Sequence, residues 1–463
     1  MGSGPNGLAA AITLAEAGRS VLVVEGQDTI GGGSRSSELT LPGFVHDVCS
    51  AIHPSGLGSP FFRRLPLDKY GLEWIHPSAP LAHPFDDGEA VLLERSVEAT
   101  ASRLGADERA YRNLMELFVE KWEQVVEDIL GPLPLIPEHP LLLARFGLIA
   151  VQSTLGLVTR AFKGPRARAL FAGTAAHVML PLEKPFSAGF GMGLNMLGHA
   201  VGWPIPRRGS QQIVNALAEH LKSLGGEIVT GHWVKSIDEL PQARSYLFDT
   251  GPRQMVSIAG DRLPPSYHRQ IERYRYGLGA FKVDFALHEP IPWKASECGL
   301  AGTVHLGGTA EEIAAAERAT WHGEIPERPY VLVAQSSRFD PTRAPAGKHT
   351  AWAYCHVPNG WTEDISERIE AQIERFAPGF RDCIIARSVL RPVDLERYNP
   401  NYVGGDINGG VQDLGQMFTR PVARIVPYST PAKGIYICSS STPPGGGVHG
   451  MCGYYAAQAA LKD

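Results

Sequence analysis

Short, continuous apolar runs alternate along this chain with longer stretches of helical period, and their order predicts a mixed α/β fold. Residues 8–17 have the small aliphatic composition of a helix, and Val21-Leu22-Val23-Val24 is an unbroken apolar run ending at Glu25, the pattern of a strand in a parallel sheet. A second helix is expected over residues 211–224, opened at Gly209-Ser210 and closed at Gly225-Gly226, with strands at 227–230 and 233–237. Residues 246–250 and 433–438 read as further strands of the same kind. Between these blocks the pattern changes. Residues 97–129 and 141–162 are helical in period, and 186–199 are rich in Gly and Met. Residues 281–287 alternate as a sheet strand, 329–335 and 349–356 read as strands, and 365–376 form an amphipathic helix.

The turn that opens the chain carries chemistry. Gly2-Ser3-Gly4-Pro5-Asn6-Gly7 is a G-x-G-x-x-G run followed by a helix, a strand and an acidic residue, the order of a dinucleotide-binding βαβ unit. Gly2 permits a tight turn, Gly4 lets backbone approach a pyrophosphate, and Gly7 allows close helix packing, with the helix N-terminus facing the phosphates. Glu25 stands where a carboxylate takes both ribose hydroxyls and repels a 2′-phosphate. The strand expected before Gly2 is absent from this sequence, which predicts a reading frame beginning upstream and a longer chain that folds and holds cofactor better. The glycine runs Gly277-Leu278-Gly279 and Gly189-Phe190-Gly191-Met192-Gly193 lack a later acidic residue and read as bends, so no separate NAD(P)H domain is expected.

Two further segments extend this picture. Asp28-Thr29-Ile30-Gly31-Gly32-Gly33-Ser34-Arg35-Ser36 resembles the second glycine-arginine signature of the amine oxidase and phytoene desaturase class of flavoproteins. The strand at 433–438, with Pro443-Pro444-Gly445-Gly446-Gly447-Val448-His449-Gly450-Met451 after it, resembles that class's C-terminal flavin-binding segment. The resemblance covers nearly the whole chain, also through residues 46–50, 276–284, 404–407 and 420–421, and its phytoene desaturase-like branch is the most similar. It implies a glutathione-reductase-type, Rossmann-like FAD-binding domain, discontinuous over 1–53, 204–254 and 425–463, with an α+β substrate domain at 54–203 and 255–424. It also implies FAD as the cofactor. Gly2, Gly4, Pro5, Asn6, Gly7, Gly32, Gly33, Ser34 and Arg35 would lie at its diphosphate, Glu25 at its ribose and the backbone of Val234 beside its adenine. Ser440, Gly447, Val448, Gly450 and Met451 would lie toward its ring system. The usual Gly-rich strand exit is replaced here by Ser439-Ser440-Ser441-Thr442.

Composition narrows the function. The chain has 463 residues, 44% hydrophobic and 20% charged, with a net charge of −5, which gives no nucleic-acid footprint. Its six cysteines form no C-x-x-C or metal spacing, so a flavin-to-disulfide reductase is disfavoured and no metal is expected. No basic n-region precedes an apolar segment, which points to a cytoplasmic location. The most membrane-like stretch, 141–162, is interrupted by Arg145 and Arg160 with 14 residues between them, about 21 Å of helix against about 30 Å of hydrocarbon. It is expected to pack on the core, a peripheral membrane contact being the alternative. Hydride transfer to flavin N5 is largely the cofactor's chemistry. His449 is the acid–base candidate, with His53, His177 and Asp406 weaker; His305 and His356 read as structural. The Met and Phe residues of 186–196 are candidates for an apolar channel. The expected function is FAD-dependent desaturation or isomerisation of an apolar, polyene- or lipid-like substrate, with electrons leaving to oxygen, a quinone or another protein. A flavin amine oxidase and a non-catalytic flavin-binding regulatory protein are the alternatives.

Overall fold

In the computed structural model, residues 1–132 and 137–463 are described. The helix Pro5–Glu16 begins with Pro at its first position, where the missing N–H costs nothing. It is followed by the strand Leu22–Val24, paired in parallel with Glu227–Val229. The strand Ile435–Ile437 pairs in parallel with Tyr246–Phe248. Residues 1–3 lie between the two pairs: Gly2 N–H donates to Val24 O at 2.8 Å and Asp249 N–H to Met1 O at 2.8 Å. The helix Gln211–Ser223 and the C-terminal helix Met451–Lys462 cover this unit, and Leu8, Ile12, Val23, Ile213, Leu217 and Met451 share one core.

A seven-stranded sheet forms the second body. Its order is Ile384–Leu390, Gly279–Leu287, His349–Val357, Val331–Ala334, Ala301–Leu306, Ala79–Pro84 and Ala90–Leu93. All pairings are antiparallel except that of Ala301–Leu306 with Ala79–Pro84. Side chains alternate across a strand, and here the two faces differ in chemistry. Val283, Phe285, Val304, Val331, Val333, Ala353 and Cys355 point to one side, where Ile369, Ile373 and Phe376 of the helix Ser366–Phe376 complete a dry core. Thr303, His305, Leu332, Trp352, Tyr354 and His356 point to the other, toward the helices Pro165–Ala176 and Ser187–Ala200.

Several expected elements break or move, each for a local reason. The helical stretch 97–129 becomes Val97–Ser102, Glu108–Glu120 and Trp122–Ile129. The first break holds Asp107, whose carboxylate accepts the N–H groups of Lys163 and Gly164 at 2.7 and 2.6 Å instead of serving its own helix. The stretch 141–162 folds as Pro140–Ala150 and Thr154–Ala161, bent by 97°; Ser153 accepts Gly156 N–H and starts the second helix afresh. The strand expected at 233–237 is an extended loop, because a capping box between Ser236 and Glu239 closes a short turn at Ile237–Glu239. The run 189–193, expected as a bend, lies inside the helix Ser187–Ala200. A Cβ on Gly191 would stand 2.8 Å from the Phe171 ring and 2.9 Å from Ala175 Cβ, so the glycine serves close helix contact. Among the described residues no single helix is long and apolar enough to cross a membrane.

Candidate functional site

One cavity of about 920 Å³ runs from the opening glycine turn to the space between the helices and the sheet. Its first part is the cradle expected for a dinucleotide. Gly2, Gly4, Pro5, Asn6, Glu25, Gly32, Gly33, Ser34, Arg35 and Val234 all line it. Gly2 has φ +86, and a Cβ there would stand 2.7 Å from Asp249 O. Gly32 has φ +54 and passes Gly4 so closely that a Cβ would lie 3.2 Å from Gly4 Cα. Ser34 Oγ is buried at this cradle with no hydrogen-bond partner among the described residues, so a hydroxyl donor is available where a diphosphate would lie. Gly7 does not line the cavity. A Cβ on it would meet Gly2 O at 2.2 Å, so its part is the close packing of helix against turn.

Glu25 is more heavily engaged than a free ribose ligand. Oε2 accepts from Ser3 N at 2.9 Å and Ser3 Oγ at 2.6 Å, and Oε1 from Gln27 N at 2.9 Å and Arg35 Nη2 at 3.3 Å. A carboxylate has about four lone-pair sites, and all are filled from within the chain. Ribose hydroxyls must therefore displace the Ser3 hydroxyl or Arg35. Asp249 was not evident as a site residue from the sequence. Its carboxylate lies at the N-terminus of Pro5–Glu16 and accepts Gly7 N–H at 2.8 Å, on the cavity wall beside Gly4. Burial pushes its pKa up to about 6 against the pull of the Gly7 N–H.

The C-terminal loop forms the middle of the cavity, where Ser439, Ser440, Ser441, Gly447, Val448 and His449 face it. The fully buried Arg420 ties this loop to the chain before it, donating to Ser440 O at 2.8 Å and Gly409 O at 3.2 Å. Three expectations need correction here. Gly450 and Met451 do not line the cavity: a Cβ on Gly450 would stand 2.7 Å from Phe62, and Met451 packs in the core with Leu8 and Phe61. His449, expected as the acid–base group, is only 1% exposed. Its Nδ1 accepts Met451 N–H at 3.1 Å, and the ring also bonds the backbone of Gly445 and Gly446. Burial lowers its pKa to about 4, so the ring is neutral and shapes its own loop. The weaker candidates His53 and Asp406 are also spoken for. His53 Nε2 pairs with Ser210 Oγ at 2.7 Å, and Asp406 accepts Gly277, Asn408 and Gly410 N–H groups at 2.7 to 2.8 Å.

The far part of the cavity is an apolar chamber. The bent helices and Ser187–Ala200 supply Phe146, Phe186, Phe190, Leu194, Met196 and Leu197, and the sheet supplies Thr303, Leu332, Trp352 and Tyr354. The charged residues that line the cavity, Glu25, Arg35, Lys235, Asp249 and Arg253, belong to its nucleotide end. His177 closes the chamber beside Trp203, their rings edge to face at 5.6 Å, and its Nε2 lies 3.0 Å from Nε2 of the buried His305.

The NAD(P)-binding Rossmann-like domain family matches residues 1–65. Pyridine nucleotide-disulfide oxidoreductase domain-containing protein 2 of Mus musculus is 25% identical over an alignment spanning 100% of this chain and 93% of that protein. Phytoene dehydrogenase of Streptomyces griseus is 25% identical over 85% of this chain and 82% of its own length. The chain is a homologue of both. A triple mutant of putrescine oxidase has the same fold, with TM-score 0.64 and 18% identity over 100% of this chain and 97% of that one. The chain thus carries a Rossmann-like nucleotide-binding unit at residues 1–65 within a fold shared with putrescine oxidase.

Within this homologue, the glycine turns were visible in sequence because their residue types are rare and their spacing fixed. Asp249, Trp352 and Tyr354 were missed as wall residues. The strands holding them were expected, but which of two faces meets the cavity is set by sheet register and not by the strand itself.

Proposed function

We propose that this protein is an FAD-dependent oxidoreductase that dehydrogenates an uncharged, apolar substrate, by desaturation of a polyene- or lipid-like molecule or by a coupled isomerisation. The observation that carries this reading is the single cavity, which joins a glycine cradle fit for a dinucleotide diphosphate to an apolar chamber. Bound FAD would supply a two-electron acceptor between them. Gly2, Gly4, Gly32, Gly33 and Ser34 would hold its diphosphate, and the loop from Ser439 to Val448 would lie along its ring system. The phytoene dehydrogenase homology supports the choice of substrate class, and the NAD(P)-binding family match supports the dinucleotide.

An amine oxidase reading draws on the putrescine oxidase fold and on Trp352 and Tyr354, whose rings meet at 4.8 Å on the chamber wall. Against it, no carboxylate among the described residues faces the chamber to balance a buried ammonium. The helices Pro140–Ala150 and Thr154–Ala161 support a peripheral contact with a lipid surface: Leu141 and Leu148 are 82% and 70% exposed, while Phe146 and Ala150 line the chamber. The test is the visible spectrum of the purified protein, followed by anaerobic bleaching with carotenoids, lipids and amines. Flavin bands bleached by apolar neutral donors are the expected result. Bleaching by amines alone, or a protein that takes up no flavin, would overturn the reading.

A further inference from the structure

Two tryptophans line the chamber, and only one of them is satisfied. Trp203 Nε1 donates to Leu194 O at 3.3 Å. Trp352 Nε1 is buried with no partner among the described residues. An indole N–H can only donate, so its chemistry does not depend on a tautomer. The wall that carries it belongs to the seven-stranded sheet, and strand register fixes what stands beside it. Ala334 pairs with Trp352 on one side and with Thr303 on the other. Thr303 and Trp352 therefore share one row, their Cα atoms two strand spacings or about 10 Å apart, with only the methyl group of Ala334 between them. Thr303 Oγ1 is likewise buried without a partner among the described residues, and its side chain also lines the cavity.

The charge nearest this row is already balanced. Lys282 Nζ lies 5.9 Å from the centroid of the Trp352 ring and is bound to Asp284. His177, at the end of the chamber, commits its Nε2 to His305 at 3.0 Å. Among the described residues the charged groups that line the cavity all belong to its nucleotide end, so an ammonium or a carboxylate would enter the chamber without a counter-charge. A hydrocarbon would leave the indole N–H and the hydroxyl dry and unpaired. A carbonyl oxygen has two lone pairs and no hydrogen of its own. It answers two donors and asks for no acceptor in return.

We propose that the chamber receives an uncharged, largely apolar molecule bearing a carbonyl group, whose oxygen accepts from Trp352 Nε1–H and from the Thr303 hydroxyl. This rests on the reading of the cavity as the site of an apolar substrate, and it narrows that class to ketones, aldehydes and esters.

The test measures binding of 2-undecanone and of 2-methylundec-1-ene, which has a methylene where the ketone has its oxygen, by equilibrium dialysis of radiolabelled ligand against the full-length protein. Comparing each ligand between wild type and variant cancels their different solubilities in water. Trp352→Phe should weaken the ketone about five- to tenfold and leave the alkene within about twofold. Thr303→Val, which keeps the shape and removes the hydroxyl, should also weaken the ketone selectively. A second measurement needs only the wild-type protein: the infrared carbonyl stretch of bound, isotope-labelled 2-undecanone should lie below its frequency in dry decane, as it does for a carbonyl that accepts hydrogen bonds. A bound carbonyl at its decane frequency, or a ketone-selective loss missing from either variant, would overturn the proposal while leaving the apolar site standing. Binding of neither ligand to the wild-type protein would overturn both.

Discussion

At the scale of single residues, Asp249 has the largest consequence. A carboxyl whose folded pKa stands at about 6 is bound by a proton more tightly in the folded chain than in the unfolded one. Its contribution to stability is therefore present at low pH and lost as pH rises through about 6. Asp249→Asn removes the buried charge and keeps the shape. Its advantage in unfolding free energy, measured by denaturant titration, should be near zero at pH 4, grow between pH 4 and 6, and reach at most about 3 kcal/mol at pH 8. Equal stabilities at pH 8 would show that the carboxylate finds compensation there. A bound diphosphate, itself anionic, should push the same group further toward its protonated form, so the Asn variant should also lose less FAD affinity at high pH. Equilibrium dialysis of flavin at pH 6 and pH 9 measures this directly.

Among elements, glycines with similar sequence surroundings have opposite meanings. On the C-terminal helix a Cβ on Gly453 would stand 1.8 Å from Asn6 O, a backbone atom of the first helix. Gly453→Ala should force the two helices apart and cost about 1–3 kcal/mol or more in denaturant unfolding. Gly193, in the helix Ser187–Ala200, meets nothing within 4 Å. Gly193→Ala should be neutral or stabilising by up to about 1 kcal/mol. The same contrast explains what the sequence could and could not reveal. The helices Pro5–Glu16 and Gln211–Ser223 and the strands Leu22–Val24 and His349–Val357 were legible because their period or apolar run is a local property. The run from Gly189 to Gly193 was misread because Gly191 answers to the distant Phe171 and Ala175, and Gly189 to Ala150. His449 stood out by its position in a loop, yet its commitment to that loop's backbone is a matter of geometry. His177 was only a weak candidate because the neighbour that defines it, His305, lies 128 residues away.

For the whole molecule, the nucleotide cradle and the chamber are one cavity with separable ends. Gly193 lines the chamber with open space before it, so Gly193→Phe should fill the chamber without touching the cradle. The expected outcome is normal flavin content with loss of bleaching by long donors, read from the spectrum before and after the donor is added; loss of flavin itself would mean that the two ends are not independent. The two-faced sheet has a further consequence for how such a protein changes over generations. Along His349–Val357, Ala351, Ala353 and Cys355 are locked in the dry core, while Trp352 and Tyr354 meet the chamber. Selection for fold and selection for substrate therefore act on alternate letters of one strand. A scan of every substitution from 349 to 357, scored once for soluble yield and once for donor preference, should give two period-two profiles in antiphase. A lineage could thus exchange its substrate by rewriting every second residue while its foldability stays untouched.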